Sequence, residues 1–224
     1  MDETRLTVGE IIAGTFAAIA ARPRPYLVYI VGMTALATGL EQMAGDAVTM
    51  PINMAGVVAG FALLSHLFAA EGRPSRRTFG AGFLSYFGAS FLSGLGMLLG
   101  FILLVAPGIY LMGRWSVATG LVVAEDEVAN RSLARSWDLT RASHWALFGA
   151  ALVFVVVSLA ILGLLGAATG AFEAVVEDAA VVPLGQSLAI NAATQVLGAI
   201  GTGAVMFLTQ RLAPSADGLQ DVFE

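Results

Sequence analysis

A single cation interrupts an otherwise apolar run over residues 109–124: Arg114, followed by Trp115. An arginine near the centre of a bilayer costs on the order of 2.5–3.5 kcal/mol on insertion scales, so it must pair, snorkel to an interface or hold an anion. The acids available for pairing are Glu41, Asp46, Glu173, Glu177 and Asp178; the anion would be a lipid phosphate. Helical side chains lean toward the N-terminus, which here makes snorkelling toward Pro107 and Gly108 easy. Arg131, Arg135 and Arg141 form a second group on a short polar segment. Near anionic headgroups each would contribute roughly 1 kcal/mol. A third group, Asn191, Gln195 and Thr202 with Gly198, recurs at helical spacing and shares one face. Such a face either hydrogen-bonds to a neighbouring helix, at about 0.6 kcal/mol per bond, or lines a wet path.

Conventional catalytic chemistry is missing from the list. His66 and His144 are the only histidines, there is no cysteine, and neither histidine has an acid at ligand spacing. No metal or other cofactor is therefore expected. No nucleophile elbow, zinc-protease, phosphate-loop or dinucleotide motif stands in a usable context, so the chain does not read as an enzyme. Glu125, Asp126 and Glu127 could bind a cation, but three carboxylates opening a helix are explained by its dipole.

The elements that position these residues follow from composition. The 224 residues are 58% apolar and 12% charged, with 26 glycines and a formal charge of −5; the mean hydropathy is +0.83. A soluble domain carries about 25% charge, and an acidic chain is no nucleic-acid binder. Crossing a core about 30 Å thick takes about 20 mostly apolar residues. Six segments qualify: 26–40, 47–70, 88–106, 109–124, 145–168 and 185–212. Alternation suited to β-barrel strands is absent from 145–168, where Phe154, Val155, Val156 and Val157 are apolar on every face. The fold class is all-α, one integral membrane domain over residues 1–224 with six transmembrane helices.

Arginine placement orients them. All 11 cations are arginines, and every one except Arg114 falls before the first segment, between the second and third, between the fourth and fifth, or at the end of the sixth. The alternate loops, 41–46, 107–108 and 170–184, contain no cation and collect Glu41, Asp46, Glu173, Glu177 and Asp178. By the positive-inside rule both termini face the cytoplasm. Ala18, Ile19 and Ala20 mimic a signal-cleavage site, but Asp2 and Glu3 beside Arg5 are wrong for a signal peptide.

Three further segments read as amphipathic helices lying flat at the cytoplasmic interface: 6–20, 78–86 and 127–141. The first carries Val8, Ile11, Ile12, Phe16 and Ile19 on one stripe and is ended by Pro23 and Pro25. In the third, Val128, Leu133 and Trp137 face lipid, while Glu127 pairs with Arg131 and Arg135 with Asp138. Each flat helix precedes a hairpin, which suggests three copies of one unit. Gly56/Gly60, Gly96/Gly100 and Gly166/Gly170 fit close helix packing.

The ordered set Pro107-Gly108-Ile109-Tyr110, Arg114-Trp115-Ser116, Glu125 and Arg135-Ser136-Trp137-Asp138-Leu139-Thr140 resembles a bacterial family. It is the membrane domain associated with glycerophosphoryl diester phosphodiesterases, together with related multi-span inner-membrane proteins. Gly120 and Ala142 depart from its pattern, where a proline and a glycine are expected. The resemblance implies a module sometimes fused to a soluble phosphodiesterase barrel. These residues contain no such barrel, so its activity is not carried over.

The expectation is a non-enzymatic bacterial inner-membrane protein that scaffolds partners or organises lipid through its arginine-bearing cytoplasmic helices. Its partners would be the phospholipid bilayer, anionic headgroups, a second copy or another membrane protein. The alternative is a small transporter or channel for an anionic or lipid-derived solute, using Arg114 and the polar face of the sixth segment.

Overall fold

The computed structural model describes residues 5–75, 77–169 and 183–214, with the side chains of residues 45 and 46 left out. Arg76, Glu173, Glu177 and Asp178 lie outside the described residues. Those described are helical, without strands. The elements are α1 (Val8–Ala21), α2 (Pro23–Ala44), a 3-10 turn (Gly45–Val48), α3 (Thr49–Ala69), α4 (Phe79–Leu103), α5 (Val105–Arg114), α6 (Ala118–Glu125), α7 (Ala129–Leu139), α8 (His144–Thr169) and α9 (Leu184–Leu212).

Five of these, α2, α3, α4, α8 and α9, are long and apolar enough to cross a membrane. Their burial is inverted relative to a soluble protein. α8 has the highest hydropathy, yet only 6% of its most apolar window is buried. Val156, Leu159 and Leu164 point outward from it. In water each such side chain would forfeit about 1.5–3 kcal/mol, so the surroundings of α8 must be apolar.

The fourth expected crossing, 109–124, is where structure and sequence pattern part. It is not one long helix. α5 ends at Arg114, residues 115–117 form turns, and α6 resumes at Ala118. Pro107 and Gly108 do not make the reversal after α4 either. That reversal sits at Leu104, whose backbone is extended, and both residues belong to the start of α5. Proline is tolerated there because the first-turn amides have no intrahelical acceptor. The flat helix expected over 78–86 is likewise absent as a separate element: α4 runs unbroken for 25 residues, about 37 Å at 1.5 Å per residue. Apolar Phe79 and Leu84 simply continue its pattern.

α6 is the centre of the bundle. Leu121 and Val123 are wholly buried, and Val122 joins Phe61, Leu64, Phe68 and Met206 in the main core cluster. α1 lies across one end of the bundle. At its start the Leu6 amide donates to Ser143 Oγ before α8 (3.0 Å). At its finish Arg22 reaches the Leu67 and Ala70 carbonyls closing α3. Thr7 and Glu10 form a capping box at the start of α1. The Thr7 hydroxyl, then its amide, holds the exposed Glu10 carboxyl below the ordinary carboxylate range.

α4 and α5 touch backbone to backbone. A Cβ at Gly100 would stand 2.9 Å from the Gly108 backbone, whereas one at Gly163 would meet nothing. Gly100→Ala should therefore lower unfolding stability in detergent by about 1–3 kcal/mol, as overpacking does. Gly163→Ala should leave it unchanged or slightly raised, and equal thermal melts for the two variants would refute this contact.

Candidate functional site

The helix break at residues 115–117 creates an electrostatic problem that α7 solves. In a continuous helix the Arg114 carbonyl would accept from the Ala118 amide, but that amide donates to Trp115 instead. An unpaired carbonyl in an apolar interior costs about 1–3 kcal/mol. A hydroxyl of α7 supplies the missing donor, Ser136 Oγ at 2.8 Å; Thr140 Oγ1 lies 3.2 Å from the same carbonyl but closer, at 2.7 Å, to the Ser136 carbonyl of its own helix. Both residues are fully buried, as is Ser132 one turn earlier. The inward face of α7 is thus a Ser132–Ser136–Thr140 stripe, leaving Val128 and Trp137 exposed.

The reciprocal contact runs from Arg114 to α7. Arg114 Nη2 donates to the Trp137 carbonyl at 2.5 Å, in the last turn of α7, where carbonyls lack intrahelical donors. Its guanidinium lies 4.2 Å from the centre of the Trp137 ring, a cation–π contact, and Tyr110 meets the same ring edge-on. The C-termini of α5 and α7 therefore cap each other. Arg114 is only 3% exposed. It does not reach Glu41; Nη2 donates to Trp137, while the buried Nε has no hydrogen-bond partner among the described residues. The positive charge at the negative end of the α7 dipole is the physical reason. Trp115 is an inter-helix wedge, its ring occupying the notch at Gly96.

Beside this clasp is a charged node. Arg135 pairs with Glu125 and, at 3.1 Å, with Glu127, rather than with Asp138 as expected. Arg73 reaches Glu125 at 3.4 Å, and Ser75 Oγ donates to Asp126. The expected Glu127–Arg131 pair is present but long, at 4.0 Å. Of these acids only Glu127 stands ahead of a helix, just before the Val128 cap of α7. Glu125 ends α6 and Asp126 caps it in the left-handed conformation (φ 55°), so arginines from two other segments offset an acid at an unfavourable dipole end. A further node joins Arg22, Glu71 and Gln210. Among the described residues no group of three His, Cys, Asp or Glu side chains is placed to hold a metal ion.

At the opposite end, Glu41 belongs to the last turns of α2 rather than to a loop. It accepts from Ser187 Oγ and from Asn191 Nδ2 (2.8 Å). Asn191 also donates to Thr38. Further along this face Gln195 is buried, Gly198 abuts the Tyr29 hydroxyl, and Thr202 bonds back to its own helix. The polar stripe of α9 joins it to α2.

A cavity of about 650 Å³ adjoins the break, walled by α1, α4, α5, α8 and α9. Apolar groups dominate its lining, with hydroxyls from Ser90, Ser93, Ser116 and Thr119. Neither Arg114 nor the Asn191–Gln195–Thr202 face lines it.

No model of a protein family, no curated protein and no solved structure matches the chain.

The mutual capping was not read from sequence, although the i, i+4, i+8 spacing of Ser132, Ser136 and Thr140 was visible. Its consequence is measurable. Arg114→Leu removes a charged hydrogen bond worth about 1.5–3 kcal/mol and a desolvated cation–π contact worth up to about 2. Thermal unfolding should show a loss of several kcal/mol. Arg114→Lys should lose less, and Ser136→Ala about 1 kcal/mol. A wild-type melting curve for Arg114→Leu would rule the clasp out.

Proposed function

We propose a non-enzymatic bacterial inner-membrane protein that organises lipid at its arginine-bearing end. In this reading the broken α5–α6 segment is a sixth crossing, antiparallel to α4. Both termini, α1 and α7 then lie at the cytoplasmic face. The antiparallel course is supported by Gly100 facing Gly108 while Gly96 faces Trp115. Kinship with the membrane domain associated with glycerophosphoryl diester phosphodiesterases is part of the proposal. What supports it is that Tyr110, Arg114, Ser136, Trp137 and Thr140, scattered in sequence, share one cluster.

One observation carries the lipid reading. At this end Arg22, Arg73 and Arg135 are committed to acids. Arg24 and Arg141 have no ion-pair partner among the described residues, and the Arg131 side chain is 76% exposed. The two unpaired guanidinium groups, and the exposed Arg131 held only by its long 4.0 Å pair with Glu127, match an anionic headgroup layer. Transport retains a cavity but loses the residues expected to line the path.

Orientation is tested by labelling, since the chain has no cysteine. A membrane-impermeant maleimide should label Ala47→Cys from outside intact cells, and Ala21→Cys only after the inner membrane is opened. The opposite pattern, or labelling of both from one side, would invert or remove the topology.

Lipid organisation is tested in reconstituted bilayers with spin-labelled lipids. Phosphatidylglycerol should associate more strongly than phosphatidylcholine, with a preference that shrinks as salt rises. The Arg131→Gln/Arg141→Gln double variant should reduce that preference about five-fold per arginine, at roughly 1 kcal/mol each. No preference, or none lost in the variant, would end the reading. Arg135 is excluded from the variant because it holds the ion-pair node.

A further inference from the structure

The outer surface between α2 and α3 carries a groove of about 740 Å³. Val28, Met33 and Leu36 of α2 and Leu63 of α3 give it an apolar lining. Gly32, Ala59 and Ala62 keep it open, since a longer side chain at any of them would project into it. It begins at Arg24 and His66 and extends along α2 to Leu36. The 12 helical steps from Arg24 to Leu36 measure about 18 Å at 1.5 Å each, close to half of the roughly 30 Å hydrocarbon core. Charge is confined to one end. Arg24 is exposed and unpaired there, while Arg22 nearby is committed to Glu71 and the end of α3.

We infer that this groove is a site for one anionic phospholipid of the arginine-side leaflet, an acyl chain lying along Gly32 and the phosphate on Arg24. The inference rests on the proposed placement of this end at a headgroup layer. Three features select that occupant: a length of one leaflet, walls that offer an acyl chain apolar contact throughout, and a cation only where the chain meets its headgroup. A helix from a second copy would leave Arg24 without an anion. A free phosphate would leave the apolar length unused.

Native mass spectrometry of the full chain in mild detergent tests it, with phosphatidylglycerol, phosphatidylcholine and inorganic phosphate as probes. One phosphatidylglycerol should be retained per chain, about five-fold in preference to phosphatidylcholine, the ratio expected for one arginine at a headgroup. Arg24→Gln should erase the preference. Gly32→Phe should abolish retention of both lipids; a Cβ there meets no atom within 4 Å, and a wild-type thermal melt of the variant checks that it folds. Arg131→Gln/Arg141→Gln should leave this single lipid bound, which separates the site from the diffuse association proposed above. Equal retention of the two lipids by the wild type would overturn the site, as would retention unaffected by Gly32→Phe. So would displacement of the lipid by inorganic phosphate, or dimers that bury the groove in place of lipid.

Discussion

A backbone carbonyl in an apolar interior must find a donor, and the arrangement of this protein turns on one such carbonyl. Where α5 stops at Arg114, the ladder of helical hydrogen bonds is interrupted between buried walls. Ser136 supplies the donor, and the Arg114 side chain answers by capping α7 through Trp137. This exchange fixes α7 against the break and brings Arg135 within reach of Glu125 and Glu127. It also lets α6 begin afresh in the centre of the bundle. Remove the exchange and the break becomes a cost with no compensation.

The break shapes what surrounds it. A straight helix through residues 109–124 would have placed Trp115, Ser116 and Thr119 on a regular surface. Interrupted, the chain puts them in the wall of a cavity shared with α1, α4, α8 and α9. Polar chemistry is otherwise segregated to the two ends. Arginine–carboxylate nodes gather where α1, α3, α6 and α7 meet, and the Glu41–Ser187–Asn191 network closes the other end. Between them hydrogen bonding is largely helical and the exterior is apolar, the pattern a bilayer imposes on any chain that crosses it.

Legibility in the sequence was uneven for identifiable reasons. The long segments 47–70, 145–168 and 185–212 match α3, α8 and α9 within about two residues, because a run of apolar residues signals its own length. The helix at 6–20 was legible from the apolar stripe of Val8, Ile11, Ile12, Phe16 and Ile19 and from the prolines that follow. Interruptions were harder. Pro107 and Gly108 look like a turn, but proline serves equally in the first turn of a helix, and Gly108 is used for close approach to α4. Arg114 was visible as an anomaly, yet its partner lies 23 residues away. The backbone carbonyl that it caps carries no signature of its own in a sequence.

Composition and periodicity alone determined that this is a helical chain made for apolar surroundings, with its arginines sorted to alternate loops. Those properties are local: each helix satisfies its own backbone, and hydropathy adds along the segment. Tertiary structure decided which apolar helix is buried and which faces outward, since the short α6 is buried while the more apolar α8 is exposed. It also decided which guanidinium groups are spent on carboxylates, which one caps a helix, and which are left free. Such choices depend on distances between segments remote in the chain, and no local pattern encodes them.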